Sequence, residues 1–310
     1  MTTRYSDIVN EVLINLAGYT MQQDRATSLS AALTSTTTTS LSVSSTADIG
    51  KGIIEVGDEL MWVDNFDRVG NTLNISPWGR GYLGTTPTTA AVNSKVTISP
   101  TFPKHVIKRA INDTIRAMGA SMFVVRQATF TFNPAVTTYE LLDSVGDNIS
   151  AQNIITVHWQ SVGPSKEWIP VRRWSFEPFA DITTWGGSAA SPAQTITISD
   201  AITPGRTVKV MYAAAPSELS ADADVFTSAS GLPLSCKDVV VLGTVYRLLT
   251  FLDPARASQT SPQADEIDSK RQFGSASSIM RQIYALYTQR LTEEVQAQQQ
   301  QYPTRVHYTR

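Results

Sequence analysis

The sequence predicts an α+β protein: a four-helix bundle formed from both ends of the chain, with two antiparallel β-domains inserted into it. Apolar residues recur with the period of a helix near the beginning, in the middle and over the last third of the 310 residues. In the two segments between them, short runs rich in Val, Ile and Thr are separated by Gly, Pro and Asn turns. Because the period changes twice from helix to strand and back, the simplest packing is one helical domain that carries two β-insertions.

Residues 4–20 form the first predicted helix, and residues 1–25 as a whole are assigned to the bundle. Gly18 follows the last apolar turn, where helices commonly end in a left-handed residue. One face of this helix carries regularly spaced apolar side chains. They are Tyr5, Ile8, Val9, Val12, Leu13 and Leu16.

A small β-domain is predicted over residues 26–100. It opens with a Ser- and Thr-rich stretch, residues 26–45, which indicates a linker that turns into an exposed strand because β-branched threonine disfavours a helix. Four short strands follow, separated by Gly-Asp, Val-Gly-Asn and Gly/Pro turns. These strands are predicted at residues 52–57, 59–63, 72–76 and 95–99.

Residues 103–119 form the second predicted helix, within the bundle segment 101–121. Pro103 suits the first turn of a helix, and Gly119 suits its end. Residues 122–216 then form a second β-domain of the sandwich or barrel type, because several strand-like runs occur there with turn residues between them. The runs are residues 123–126, 129–132, 154–159, 166–169, 195–198 and 207–212.

The remaining bundle segment, residues 232–301, contains two further predicted helices. Residues 234–252 are apolar almost all round, which is typical of a helix covered by neighbours on most sides. A second pattern covers residues 263–300, with Gly274 as a candidate break. Residues 302–310 are predicted to be an extended tail, since proline at position 303 cannot continue a helix.

Composition excludes several classes of protein. The 25 Lys and Arg residues against 27 Asp and Glu give a net charge of −2, so no global basic field attracts nucleic acid or an anionic membrane. With a single cysteine, Cys236, the chain forms no internal disulfide. We find neither a long apolar run nor the apolar core of a signal peptide, and therefore expect neither a transmembrane protein nor a secreted disulfide scaffold.

The sequence contains no convincing catalytic or cofactor motif. Residues 79–84 match the G-x-G-x-x-G dinucleotide pattern, but Pro87 and the threonines after them disfavour the helix that this motif needs, so we expect a turn between strands. The three histidines, His105, His158 and His307, are too far apart in sequence to indicate a metal site, and Cys236 has no recognisable catalytic partner. No carboxylate pair indicates glycosidase chemistry. We therefore expect no catalytic, cofactor or metal site.

Two surface features leave alternatives open. The second predicted helix carries a basic face that either contacts DNA or, more simply, is solvated or forms salt bridges between subunits. It consists of Lys104, Lys108, Arg109 and Arg116. The aromatic-rich region 159–185 is either a sugar-binding platform or part of a β-core or protein interface. Its aromatic residues are Trp159, Trp168, Trp174, Phe176, Phe179 and Trp185.

The small β-domain resembles a β-module that recurs in structural proteins of tailed phages. The resemblance rests on residues 57–63 (GDELMWV), 69–75 (VGNTLNI) and 78–92 (WGRGYLGTTPTTAAV). The usual form of the module often has histidine after the alanines, where this chain has Val92 and Asn93. The resemblance implies a virion protein without indicating which one.

From the second helix onward, the chain is similar in pattern to head-to-tail adaptors of short-tailed phages, also called tail tubular protein A or gatekeeper proteins. The similarity lies in residues 124–132 (VVRQATFTF), the following β-domain, residues 231–240 (GLPLSCKDVV) and two closing helices. It implies a homo-oligomeric ring, typically of twelve copies, under the portal at the head-tail junction of the virion. Such a ring extends the channel, encloses double-stranded DNA without reading its sequence, docks tail or nozzle proteins and serves genome ejection. The alternatives are another tail or baseplate component, or a host-glycan-binding module; in each case the protein is made in the host cytoplasm and meets no membrane.

The tail is the predicted partner interface. Its last seven residues alternate polar and apolar side chains but are too few to fold alone, so they become ordered only against another surface. Because the resembled adaptors dock on the portal through their C-terminal portions, we expect Val306 and Tyr308 to be buried anchors and Arg305 and Arg310 to pair with acidic groups. The alternative is a frayed end.

Overall fold

The computed structural model describes residues 2–20, 24–143, 149–163, 166–180, 193–250 and 275–303. It is a mixed α and β protein with antiparallel sheets. The chain divides into two compact units. One comprises Arg4–Thr114 and Asp238–Tyr287, and we call it the barrel unit; the other comprises Met1–Thr3, Ile115–Lys237 and Thr288–Arg310, and we call it the sandwich unit.

The described residues contain five α-helices. They are α1 Tyr5–Thr20, α2 Lys104–Met118, α3 Phe226–Ser230, α4 Lys237–Thr250 and α5 Ser275–Gln301. The helices predicted at 4–20 and 103–119 agree with α1 and α2 to within one residue at each end. The helix predicted from residue 234 begins with a 3₁₀ turn, Leu234–Cys236, before α4. Of the long helix predicted at 263–300, residues 263–274 lie outside the described part.

A six-stranded antiparallel sheet forms the core of the barrel unit. Its strands are β1 Arg25–Ser28, β2 Ser40–Ser42, β3 Gly52–Val56, β4 Glu59–Asp67, β5 Thr72–Ile75 and β6 Lys95–Ile98. They pair in the order β1-β6-β3-β4-β5-β2. The two outer strands also meet, because the Ser30 N–H donates to the Ser42 carbonyl at 3.0 Å and the Ser44 N–H donates to the Ser28 carbonyl at 2.8 Å. The sheet therefore closes into a barrel.

The four strands predicted at 52–57, 59–63, 72–76 and 95–99 are confirmed as β3 to β6. The prediction of an exposed strand in the Ser/Thr-rich stretch is half right: β2 forms there, but Leu41 and Val43 are buried in the barrel core. Alternation in that stretch points two apolar side chains inward, and burial of this core is what orders a segment that looks like a linker.

Helices of the barrel unit contact one another in pairs. The Tyr5 hydroxyl on α1 donates to the Lys108 carbonyl on α2 at 2.8 Å. Gly243 on α4 lies against both Thr114 of α2 and Tyr287 of α5, so close that a Cβ there would be 2.6 Å from the Thr114 methyl. The rings of Tyr246 and Tyr284 extend the α4–α5 contact, with centroids 5.0 Å apart.

The sandwich unit contains two antiparallel sheets. Its strands are β7 Val124–Thr131, β8 Thr138–Glu140, β9 Ala151–Gln160, β10 Trp168–Pro170, β11 Trp174–Ala180, β12 Ala193–Ile198 and β13 Thr207–Ala214. One sheet has the order β10-β9-β13-β7 and the other β11-β12-β8. Side chains from both, including Val157, Val210 and Ile196, form one apolar core. The predicted β-domain is thus a two-sheet sandwich.

Several elements of this unit differ from those predicted from the sequence. The runs predicted at 123–126 and 129–132 are one continuous strand, β7, and neither β8 nor β11 was predicted as a strand. Helix α3 is only five residues long and ends at Gly231, whose φ of 78° suits glycine. A short strand or helix shows too little of its period for the sequence pattern to reveal it.

Candidate functional site

A buried ion pair organises one end of the barrel. Glu59, at the start of β4, and Arg80, in the glycine run, have side chains that are 0% and 7% exposed. The Arg80 Nε donates to Glu59 Oε1 at 2.7 Å, and Arg80 Nη2 donates to Oε2 at 3.0 Å. The other guanidinium N–H groups donate to the carbonyls of Ser35, Thr38 and Thr88. All five guanidinium donors therefore have an acceptor.

The carboxylate of Glu59 is equally well satisfied. Besides Arg80, its oxygens accept the backbone N–H groups of Gly81 at 2.9 Å and Thr88 at 2.8 Å. Burying two charges is tolerable only when each finds a partner and its remaining hydrogen bonds, and both conditions are met here. The pair therefore ties the loop of residues 79–88 to strand β4.

The glycine run itself is a turn between strands, as the sequence predicts. A Cβ at position 79 would lie 2.7 Å from the Trp62 carbonyl oxygen, and one at position 81 would lie 2.6 Å from the Thr85 carbonyl oxygen. Gly81 also has a φ of 62°. A 3₁₀ turn, Tyr82–Gly84, follows instead of the α-helix N-terminus that a dinucleotide pyrophosphate requires. The glycines thus serve close backbone packing.

This loop presents an aromatic cluster, which we define as Trp62, Trp78, Tyr82 and the adjacent Leu83. The ring centroid of Trp62 is 5.8 Å from that of Trp78 and 5.3 Å from that of Tyr82, and Trp78 and Tyr82 are 5.9 Å apart. Trp78 is 62% exposed and Leu83 is 64% exposed. A group of exposed large apolar side chains is typical of a binding surface rather than of a solvated loop.

The backbone of Leu83 supports that interpretation. Its φ of 55° lies in the left-handed region, which costs a branched residue roughly 1–2 kcal/mol. The side chain held in this way points to solvent rather than into the core. Strained residues that gain no burial are concentrated at functional sites. We therefore regard the aromatic cluster as the candidate site.

The sequence analysis missed this cluster because its members come from three segments. Trp62 lies on β4, Trp78 follows β5, and Tyr82 lies in the 3₁₀ turn. The signal that could have found it is the presence of Trp62 in segment 57–63 and of Trp78 and Tyr82 in segment 78–92. Only the pairing of β4 with β5 brings these residues together.

The aromatic-rich region 159–185 divides between core and surface. Trp159, Trp174 and Phe176 pack against the sandwich core. Phe179 is 78% exposed, and Trp168 is partly exposed with the Lys209 ammonium 4.3 Å from its ring centroid. Trp185 lies outside the described residues. The region therefore contributes both to the core and to the surface.

Burial shifts the pKa of two histidines and of the cysteine. Burial lowers the pKa of His105 and His158, with smaller contributions from Arg109 and Lys209 respectively. Burial, helped by the nearby Glu294 carboxylate, raises the pKa of Cys236 to about 12, so its thiol stays protonated. His307 lies outside the described residues, and within the described ones no three His, Cys, Asp or Glu side chains are grouped to hold a metal ion.

The basic face of α2 is partly neutralised. The Lys108 ammonium pairs with Asp58 in the barrel unit, and the Arg116 guanidinium pairs with Glu218 in the sandwich unit. At the N-terminus of the same helix, the Lys104 backbone N–H donates to the Glu55 carboxylate at 2.6 Å. Two of the four basic side chains on this face therefore pair with carboxylates of the same chain.

A groove of about 310 Å³ in the sandwich unit lies where α5 ends. Tyr302 and Pro303 form one wall, and Phe123 and Met211 are among the residues opposite. The Gln298 side chain fixes the end of α5 by accepting the Phe123 N–H at 3.1 Å and donating to the Phe123 carbonyl. The predicted anchors Arg305, Val306, Tyr308 and Arg310 follow directly, outside the described residues.

Comparison with known proteins gives no relative: no protein-family model matches the sequence, and no curated protein matches it. Among the described helices, none is long and apolar enough to span a membrane.

Proposed function

We propose that this protein is a head-to-tail adaptor of a tailed phage. It forms a ring under the portal, extends the channel through which double-stranded DNA passes, and docks tail proteins. No catalytic step is part of this function. The virion resemblance of residues 57–92 and the pattern of two β-insertions between helices support the proposal.

The observation that carries the proposal is the contact between helices from opposite ends of the chain. Gly243 of α4 packs against α2 and α5, and Tyr5 of α1 bonds to α2. The barrel lies between α1 and α2 in sequence, and the sandwich lies between α2 and α4. We infer that α1, α2, α4 and α5 form one bundle, and that each of the two β-domains offers a large surface for side-to-side contacts in a ring.

The barrel gives a physical reason for some of the residues in the segments that resemble the phage module. Glu59 belongs to the motif's first segment, and Arg80 and Gly81 belong to its third. The side chains of Glu59 and Arg80 bond to each other and to the loop that carries Gly81. The residues that carry the resemblance are therefore those that hold the loop in place, which supports the assignment of this domain to the same kind of module.

The charge of the chain suits a channel wall. A net charge of −2 attracts DNA only weakly, and intramolecular carboxylates pair with two of the four basic side chains on α2. A wall that lets DNA slide should not bind it tightly, since affinity for DNA comes mainly from cationic contacts to phosphate.

The tail supplies the test of portal docking. We propose that Val306 and Tyr308 anchor the protein on the portal, with Arg305 and Arg310 paired to acidic groups there. A truncation after Pro303 removes these four residues but keeps Gln298 and Tyr302, whose contacts hold the end of α5. The truncated protein should keep the circular dichroism spectrum and melting temperature of the full chain.

Binding to the portal protein of the same virus, measured by co-sedimentation, should fall at least tenfold for this truncation. The matched control is Thr304→Ala in the full chain, which removes no proposed anchor and should bind as the parent does. Equal portal binding by the truncated and full-length chains would contradict the anchoring role and leave the tail as a frayed end.

A further inference from the structure

We propose that the aromatic cluster of one copy binds the β4–β5 hairpin tip of a neighbouring copy. The hairpin tip consists of Arg68 and Val69, and Val69 is 95% exposed, the highest value among the exposed large apolar residues. The proposal rests on the proposed function, because it names the surfaces through which one ring subunit would contact the next.

Hydrogen bonds within the turn hold the hairpin tip in place. Asp67 Oδ1 accepts the Val69 N–H at 2.9 Å, and Asp67 Oδ2 accepts the Gly70 N–H at 3.1 Å. Asn71 completes the turn with a φ of 48°, which asparagine tolerates better than most residues. Because the turn is held by its own side chain, Arg68 and Val69 project without a large loss of conformational freedom on binding.

The chemistry of the two surfaces is complementary. The aromatic cluster offers apolar area and electron-rich ring faces, with Trp78 the most exposed ring. The hairpin tip offers an aliphatic side chain and a guanidinium, and guanidinium groups bind preferentially over tryptophan and tyrosine faces. Arg68 already lies over an aromatic ring of its own strand, with its guanidinium carbon 5.5 Å from the Phe66 centroid, so its geometry is suited to stacking.

The aromatic cluster and the hairpin tip are separate surfaces of one copy, so the proposed contact pairs unlike surfaces. Trp62 is the fourth residue of β4 and the hairpin tip follows its last residue, Asp67; the five residues from Trp62 to Asp67 span about 16 Å at the usual rise of a strand. One copy therefore uses its tip while its own cluster stays available for another. Such heterologous contacts propagate, and they close into a ring when the rotation allows.

A carbohydrate ligand fits the cluster less well. The planes of Trp62, Trp78 and Tyr82 are inclined to one another by 31° to 46°, so they do not form a flat platform for sugar rings. The charged groups beneath them, Glu59 and Arg80, have their hydrogen bonds taken up by each other and by the backbone. Sugar hydroxyls would find no free carboxylate in this pair.

Disulfide trapping tests the contact directly in the full chain. One copy carries Val69→Cys and a differently tagged copy carries Leu83→Cys; the native Cys236 is buried and has a strongly raised pKa, so it should not compete. When the two are mixed with portal protein under mild oxidation, a 69–83 disulfide between the tagged copies should dominate. The control replaces Leu83→Cys by Val92→Cys, a half-exposed valine on the same domain. Equal trapping at 83 and 92 would overturn the proposal.

Mixing two defective variants tests whether the contact pairs a cluster with a tip. The double variant Trp78→Ser, Leu83→Ser loses the cluster, and the double variant Arg68→Glu, Val69→Asp loses the tip. Each alone should fail to assemble, whereas a 1:1 mixture should give dimers and nothing larger by mass photometry, because one intact cluster then meets one intact tip.

The remaining outcomes distinguish a failure of this contact from a failure of the proposed adaptor function. Rings formed as well by both variants as by the parent would overturn the contact and leave the adaptor function standing. A parent protein that neither assembles nor binds portal would contradict the adaptor function. Binding of a panel of bacterial polysaccharides that is lost in the cluster variant, with self-association unchanged, would overturn the contact in favour of a glycan site.

Discussion

Glu59 and Arg80 show how a sequence motif can be structural in origin. Each side chain is buried, and each is satisfied by the other and by backbone groups of the loop that follows. The aromatic cluster stands on this loop. Glu59 and Arg80 thus lie beneath the candidate site and hold the loop that carries it.

Glu59→Gln should destabilise the barrel strongly. It leaves the Arg80 guanidinium buried without a counter-charge, and breaking a buried pair from one side costs about 3–5 kcal/mol. Hydrogen exchange should accelerate across β3, β4 and β5, and the first thermal transition should fall. The matched control is Asp48→Asn, which breaks an exposed pair with Arg25 and should cost less than about 1 kcal/mol. Equal effects of the two substitutions would contradict the role assigned to the pair.

Glu55 should make the stability of the barrel unit depend on pH. Burial raises its pKa above the ordinary value of 4.5, assisted by Asp58 and Asp24 and opposed by the Lys104 N–H and charge. The folded chain therefore holds this proton more tightly than the unfolded chain. Stability from this group is complete below the ordinary pKa and is lost as the pH rises through the raised pKa.

Glu55→Gln tests this dependence because glutamine does not titrate and can still accept the Lys104 N–H through its Oε1. From about pH 4 to pH 7, the parent should lose free energy of unfolding relative to the Glu55→Gln variant. Denaturant titrations at several pH values measure the difference. Parallel curves for the two proteins would show that burial does not perturb this carboxyl group.

Gly243 tests packing at the scale of the helix. An alanine Cβ at this position on α4 would lie 2.6 Å from the Thr114 Cγ2 and 2.8 Å from the Tyr287 Cε2. Gly243→Ala should therefore lower stability by about 1–3 kcal/mol, although alanine is the better helix former. The melting temperature of the full chain measures the change.

Gly18→Ala in α1 is the matched control for that substitution. No described atom lies within 4 Å of a Cβ at Gly18, so the same change there should raise stability by up to about 1 kcal/mol. Opposite signs at the two glycines are expected from the close contact of α4 with α2 and α5. A stabilising effect at both positions would argue against that contact.

Elements with several turns or a clear alternation could be predicted from the sequence. The helices α1 and α2 and the strands β3 to β6 repeat their period long enough to be recognised. The closure of the barrel could not be predicted. It depends on backbone hydrogen bonds between residues 28–30 and 42–44, and the side chains there do not indicate which segments pair. The same holds for the three-residue strand β8.

Only part of the candidate site could be predicted from the sequence. The glycine run drew notice for its resemblance to a nucleotide motif and was correctly predicted to be a turn between strands. Trp62 and Leu83 drew none, because their proximity depends on strand pairing and on a left-handed residue. Long-range pairing of this kind is set by the fold as a whole, and a single sequence does not reveal it.

At the scale of the whole molecule, we propose that the chain assembles with copies of itself. Two β-domains of different architecture are inserted between helices from both ends. An exposed aromatic cluster includes Trp62 of β4, and a projecting hairpin tip follows the end of the same strand. We propose that these two surfaces meet between copies as the side-to-side contacts of a ring.

Electron microscopy of the purified protein mixed with the portal protein of the same virus tests this central claim most directly. We expect closed rings of the protein stacked coaxially on the portal, with a central channel and density joining each subunit to the next. The contradicting result is a protein that stays monomeric while the portal rings remain unchanged. Both proteins should be present well above micromolar concentration for this test.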